Sequence, residues 1–214
     1  MTFAKEAWPF VLPFALVAAA LAYYDRRIPA IAVAVVGFLV LLFFRDPRRG
    51  FTGSDRIVVA AADGKITKIE SVQDPEIGPG PYTRIVTFLS AFDVHVQRCP
   101  VEGEIVVSSL VRGKKLAAFR DDIHDKNERY TNVFLRPNGD RIGVRQLAGL
   151  IARRVVSYLK QGDRRQRGDL LGVIKFGSRV DLYVPATYRV LVKPGDRVRN
   201  GETPMAEAPE APKP

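Results

Sequence analysis

The sequence predicts a mostly β (α+β) protein: a compact body of β-sandwich or barrel-sandwich type behind an N-terminal hydrophobic helical hairpin. Three observations predict it. Two uncharged runs, 10–24 and 28–44, hold much of the chain's apolar content. After Ile57 the apolar residues come in short runs of strand length, several alternating with polar ones. Three stretches are built alike around a glycine turn: Ala62-Asp63-Gly64-Lys65, Val101-Glu102-Gly103-Glu104 and Lys193-Pro194-Gly195-Asp196. Recurring glycine hairpins of this kind suit a body of sandwiched short strands.

The two apolar runs are separated by Asp25-Arg26-Arg27 and closed by Arg45-Asp46-Pro47-Arg48-Arg49. As a helix rising 1.5 Å per residue, the second run covers ~25 Å, short of the ~30 Å hydrocarbon core of a bilayer. Flanking arginines and tyrosines snorkel and make up the difference. Residues 1–49 are therefore expected to be a membrane-associating helical segment, spanning or re-entrant, rather than a pair of buried helices. A cleaved signal peptide fits less well, because the apolar region is doubled and no small-residue cleavage site precedes a polar start. Residues 45–49 are expected against anionic headgroups, which puts the protein at the cell membrane with its main body on the cytoplasmic side.

The net charge of +10 and a pI near 9.9 call for an anionic partner, nucleic acid or an acidic membrane surface. Nucleic acid is the poorer choice, since the aromatic residues are not interleaved with the basic clusters as stacking platforms would be. The single cysteine, Cys99, excludes an intramolecular disulfide and fits a reducing compartment. With only His95 and His124 there is no zinc-type spacing, and no metal is expected.

The main body is expected over residues 50–200. Ile57 to Ala61 reads as a strand, the turn 62–65 follows, and Ile66 to Ile69 returns. Residues 74–81, rich in proline and glycine, are a loop. Arg84 to Leu89 is a strand, and residues 112–130 read as a solvated polar loop. Between Gly143 and Lys160 the apolar positions fit a helical face, while Gly149 and the valines also allow two strands. Residues 161–169 are a basic turn, and the Pro/Ala/Glu-rich stretch 201–214 is expected to be a disordered tail.

The C-terminal part holds the most informative corner. The apolar run Leu170 to Ile174 leads to Phe176-Gly177-Ser178-Arg179, and Val180-Asp181-Leu182-Tyr183-Val184 alternates as a strand stopped by Pro185. Ser178 thus follows a glycine at a sharp turn between two strand-like pieces. Glycine takes backbone angles closed to other residues and leaves its carbonyl open on one side. The Ser178 hydroxyl can then reach the Gly177 carbonyl carbon, which permits an N-to-O acyl shift from peptide to ester. Elimination and hydrolysis would leave a pyruvoyl group in place of the serine. The plainer reading is a turn, which most Gly-Ser pairs are. No Gly-x-Ser-x-Gly elbow surrounds Ser178, so a serine hydrolase is a poor fit.

Taken together, residues 45–200 resemble the phosphatidylserine decarboxylase family, in its short bacterial and archaeal branch. The likeness rests on Ala62-Asp63-Gly64; on Phe92-Asp93-Val94-His95-Val96 with Pro100 and Gly103; on Asn127-Glu128-Arg129; and on Ile174 to Asp181 across the Gly177-Ser178 corner. The resemblance implies a lyase that removes carbon dioxide from phosphatidylserine to give phosphatidylethanolamine. It implies self-cleavage after Gly177 into a β chain (1–177) and an α chain (178–214) that stay together as a heterodimer. It implies a pyruvoyl cofactor made from Ser178, which forms a Schiff base with the substrate amine. His95 would be the general acid that protonates carbon after carbon dioxide leaves, and its ordinary pKa of ~6.5 suits that work. Asp63 would act with the histidine and the serine in self-cleavage.

One departure stands out. Longer family members carry His-x-x-His before the proline, and here the second position is Arg98. Either one histidine serves both maturation and turnover, or maturation needs no histidine base. Charge alone suggests Lys114, Lys115 and Arg129 as headgroup contacts. For residues 143–160 the resemblance favours strands. The competing reading is a membrane-tethered adaptor with a lipoyl-like β domain and no chemistry, suggested by the turn at 193–198. The carrier lysine such a domain would need is not evident.

Overall fold

The computed structural model describes residues 1–113, 127–149, 154–174 and 178–210. It divides into two units, Met1–Arg48 and Arg49–Pro214.

The first unit is the helical hairpin. Strand β1 (Thr2–Phe3) precedes α1 (Trp8–Tyr23) and α2 (Arg27–Phe43), and β2 (Arg45–Asp46) returns to pair with β1. Pro9 occupies the first turn of α1, where its missing N–H costs nothing. Asp25 makes the turn between the helices in the left-handed region, at φ 56°. The helices pack closely at Gly37, where a Cβ would lie 2.8 Å from the Phe14 Cβ. Most other apolar side chains point outward: Leu16 is 70% exposed and Ile31 65%.

The second unit is built from strands. In order they are β3 (Ile57–Val59), β4 (Gly64–Gln73), β5 (Pro81–Leu89), β6 (Val96–Arg98), β7 (Gly103–Val111), β8 (Arg129–Leu135) and β9 (Arg141–Ala148). Then come β10 (Val155–Ser157), β11 (Arg164–Arg165), β12 (Leu170–Ile174), β13 (Ser178–Pro185), β14 (Arg189–Val190), β15 (Arg197–Val198) and β16 (Pro204–Glu207). A large sheet runs β11-β7-β8-β9-β13-β5-β4-β15, and two small sheets run β10-β12-β6 and β14-β16-β3. The core lies between these sheets. Val180, Leu182 and Val184 of β13 enter it beside Ile85, Ile142 and Val144, as the alternation of that strand requires. The region 143–160 forms strands β9 and β10, and the apparent helical face is not used.

The polar side of β13 is also buried. Residues 74–80 fold over it, bringing Ile77 onto Tyr183 and Val133. Arg145 fixes this cover, donating to Asp74 at 2.7 Å, Glu76 at 2.7 Å and the Tyr183 hydroxyl at 2.8 Å. Arg179 and Asp181, two apart on one strand face, form a buried two-bond ion pair at 2.6 and 2.8 Å.

Three expectations are corrected. The glycine turns are present, but none closes a hairpin. β3 pairs with β16 while β4 pairs with β5 and β15, so the Asp63 turn carries the chain from one sheet to another. The turns at Gly103 and Gly195 likewise separate strands with different partners. The stretch 201–214 is not a disordered tail where it is described: β16 is sandwiched between β3 and β14, with Met205 and Ala206 buried. Two buried apolar residues hold it in spite of its composition. Finally, the solvated loop 112–130 falls largely on residues 114–126, outside the described residues along with Lys114, Lys115 and His124. Its last part is structured rather than a loop: Asn127 is fully buried and donates to the Ala148 carbonyl at 2.7 Å, and Arg129 and Tyr130 are half-buried in β8.

Candidate active site

Strand ends converge at one edge of the large sheet. Ser178 opens β13 and lies opposite both Leu89, the last residue of β5, and Ala148, the last residue of β9. β4 begins there too, with Lys65 opposite Phe88. Gly64 makes the close approach possible. Its φ is +150°, and a Cβ there would sit 2.2 Å from the Phe88 carbonyl oxygen. Asp63 is therefore placed at the same edge as Ser178. In the small sheet, Ile174 at the end of β12 donates its N–H to the His95 carbonyl at 3.2 Å. Four residue steps separate Ile174 from Ser178, so the chain itself keeps their Cα atoms within about 14 Å. Gly177 and its bond to Ser178 lie outside the described residues.

Ser178 is completely buried, and its Oγ has no hydrogen-bond partner among the described residues. Buried hydroxyls are nearly always satisfied, so this one stands out. His95 is also completely buried. Its Nδ1 lies 2.9 Å from the Asp93 carbonyl oxygen, which can only accept, so Nδ1 carries a proton; in the neutral ring the lone pair is then on Nε2. The Asp93 carboxylate pins the preceding turn, accepting from the Ser90 N–H at 2.8 Å and the Ser90 hydroxyl at 2.7 Å. Gln97 donates to the His95 carbonyl at 2.7 Å and accepts from Gln146 at 2.9 Å, which ties β6 to β9.

Asp63 makes no hydrogen bond to His95. Its Oδ2 accepts from Arg49 at 2.8 Å, and its Oδ1 accepts the Asn200 backbone N–H at 2.8 Å. The Asn200 side chain donates in turn to the Val96 carbonyl at 2.8 Å, one residue from His95. Burial pushes the Asp63 carboxyl above the usual carboxylate range, against the Asn200 N–H and the Arg49 guanidinium, which hold it down.

The sequence did not point to Arg49, Asn200 or the two glutamines. Arg49 was expected against lipid headgroups; it is instead buried on Asp63. Its only signal was its place at the end of a charged cluster. Arg98, at the position of the second histidine, donates to the Gly168 carbonyl at 2.9 Å. Arg129 opens β8 opposite Leu147 and Val111.

The phosphatidylserine decarboxylase family profile matches residues 36–206. The chain is similar to a protein of Symbiobacterium thermophilum, 41% identical over 208 residues, covering 97% of this chain and 96% of that one. A protein of Saccharopolyspora erythraea is 46% identical over 172 residues, 79% of this chain and 73% of that one. A third, from Geobacter metallireducens, is 35% identical over 211 residues, 96% of each. All three carry the name phosphatidylserine decarboxylase proenzyme.

Proposed function

This chain belongs to the phosphatidylserine decarboxylase family, and from that premise we propose that it cuts itself between Gly177 and Ser178 and works through a pyruvoyl group made from Ser178. It is a decarboxylase, and its substrate in this reading is phosphatidylserine. The observation that carries the proposal is the buried Ser178 Oγ, unpartnered among the described residues, at the start of a strand clamped on both sides. A hydroxyl in that state is free to act as a nucleophile.

Self-cleavage consumes only the chain's own atoms and water. The Ser178 Oγ forms a bond to the Gly177 carbonyl carbon, and the peptide C–N bond breaks to leave an ester and an amine. Loss of a proton from the Ser178 Cα then expels the Gly177 carboxylate. Water replaces nitrogen, which leaves as ammonia, and a ketone remains. His95 Nε2, with its lone pair fixed by the Asp93 carbonyl, takes the proton from Ser178 Oγ. Asp63 is a positioning residue: through Asn200 and Val96 it holds the strand that begins beside His95.

A pyruvoyl group supplies a ketone that captures the substrate amine and an electron sink for the pair left when carbon dioxide departs. His95 returns a proton to the substrate carbon. The burial of this edge keeps water from competing for that step.

The two pieces, β (1–177) and α (178–214), remain one heterodimer in this reading. β13 is inserted between β9 and β5, and β15 and β16 are paired to β4 and β3. With the 3-10 turn Lys5–Ala7 that precedes it, α1 makes a helical segment Lys5–Tyr23 long and apolar enough to cross a membrane, while α2 (Arg27–Phe43) is shorter. Together with their exposed apolar side chains, these helices support anchoring in the anionic cell membrane, with the second unit cytoplasmic.

Ser178→Ala tests the proposal. The variant is expected to stay a single chain and to form no phosphatidylethanolamine. An uncut Ser178→Ala protein that still releases carbon dioxide from phosphatidylserine would refute it.

A further inference from the structure

We propose that Arg112 and Arg154 bind the phosphodiester of the substrate, in a cavity beside the Ser178 edge. The cavity holds about 510 Å³ and is lined by Leu110, Arg112, Glu128, Tyr130, Arg154 and Val155, among others. That volume is within the range of small-ligand sites. The inference rests on Ser178 being the reaction centre, because its force comes from where the cavity lies.

Two strand contacts fix that position. The Glu128 carbonyl accepts the Ala148 N–H at 2.9 Å, and Ala148 lies directly opposite Ser178. Val155 lies directly opposite Ile174, the last described residue before the cut. The cavity wall thus lies one strand spacing, about 4.8 Å, from Ile174 and two spacings, about 9.6 Å, from Ser178.

The chemistry of the wall suits a phospholipid headgroup. Neither arginine makes a hydrogen bond or ion pair with the described residues, and both are exposed on the cavity. Glu128 is the acidic side chain there, and one of its oxygens accepts the Val155 N–H at 3.3 Å. Two guanidinium groups and one carboxylate match a headgroup that carries an ammonium beside its anions. Leu110, Tyr130 and Val155 offer apolar contact to the glycerol and the start of the acyl chains.

The arginines belong to the phosphate rather than to the carboxylate. A cation paired with the carboxylate stabilises a charge that must vanish as carbon dioxide leaves, so it holds back the reaction. The phosphate keeps its charge throughout. Cations on it strengthen ground state and transition state alike, which lowers KM and leaves kcat alone.

The test measures Arg112→Gln, Arg154→Gln and the double variant with micellar dioctanoyl phosphatidylserine, and sn-glycerol 3-phosphate as competitor. Each change is expected to raise KM about tenfold, as loss of a charge-assisted contact does. kcat and self-cleavage should stay at the wild-type level. Inhibition by glycerol 3-phosphate should weaken in parallel, while free serine should compete equally with all forms. Arg164→Gln, at the exposed strand β11, should change nothing. An unchanged KM, or a fall in kcat at constant KM, overturns the assignment. The wild-type fragment pattern and turnover read the underlying proposal separately. If the wild type is uncut, that proposal fails first; if it is cut and active and the variants bind normally, only the subsite fails.

Discussion

Asn200 donates its backbone N–H to Asp63 Oδ1 at 2.8 Å, across 137 residues of sequence and across the proposed cleavage point. In the proposed mature enzyme the α chain would therefore reach back and hold the β chain at its acidic site residue. The same asparagine bonds the Val96 carbonyl, beside His95. Asp63 thus connects to the segment beside the histidine through Asn200, and Arg49 closes the network from the other side at 2.8 Å.

The network predicts a pH dependence for Arg49→Ala. Burial raises the Asp63 pKa in the folded state above its unfolded value, so folding favours the protonated form. The stability this group contributes is fully present below the unfolded pKa and is lost as pH rises through the folded pKa. Removing Arg49 takes away a lowering influence and moves the folded pKa higher still. The variant should be least stable, relative to wild type, at neutral pH, and the gap should narrow as pH falls toward the carboxylate range. Melting temperatures at pH 7 and pH 5 read this directly, and Asp63→Asn on the Arg49→Ala background should remove the pH dependence. A gap that is constant with pH would show that the two groups are not coupled.

Gly64→Ala should fail to mature. The residue would be forced to a φ of +150°, which costs about 1–3 kcal/mol by itself. Its Cβ would also overlap the Phe88 carbonyl in the strand that flanks Ser178. A gel of the variant should show uncut or insoluble chain; normal processing would mean that the turn is not held as described.

Cys99 should be inert in the native protein. It is fully buried, and burial pushes its thiol up to about 12, with Asp169 adding to the effect. At pH 8 almost no thiolate is present to react. Iodoacetamide should leave the folded protein unmodified and label it completely after denaturation. Prompt labelling of native protein would contradict the burial.

Much of this fold is readable in the sequence because it depends on local pattern. The helical hairpin follows from two uncharged runs and the Asp25 turn, and β13 follows from the alternation of Val180, Leu182 and Val184. Strand partners are not readable in the same way. The Asp63 turn has the composition of a hairpin, yet β3 and β4 belong to different sheets, since pairing is decided by packing far along the chain. β16 was hidden by its Pro/Ala/Glu surroundings, although Met205 and Ala206 are enough to bury it. At the candidate site, Ser178, His95 and Asp63 stand out because each sits in a short distinctive motif. Arg49 and Asn200 do not, because an arginine near apolar helices or an asparagine in a turn is ordinary until its buried partner is seen.

The most direct measurement is the intact mass of purified, active protein under denaturing conditions. Two pieces are expected, the smaller comprising the 37 residues from Ser178 to Pro214. That piece should be lighter by one ammonia than the same peptide with an N-terminal serine, and it should react with a carbonyl reagent such as a hydrazide. Active protein of one uncut mass, with an unmodified serine at position 178, would contradict it.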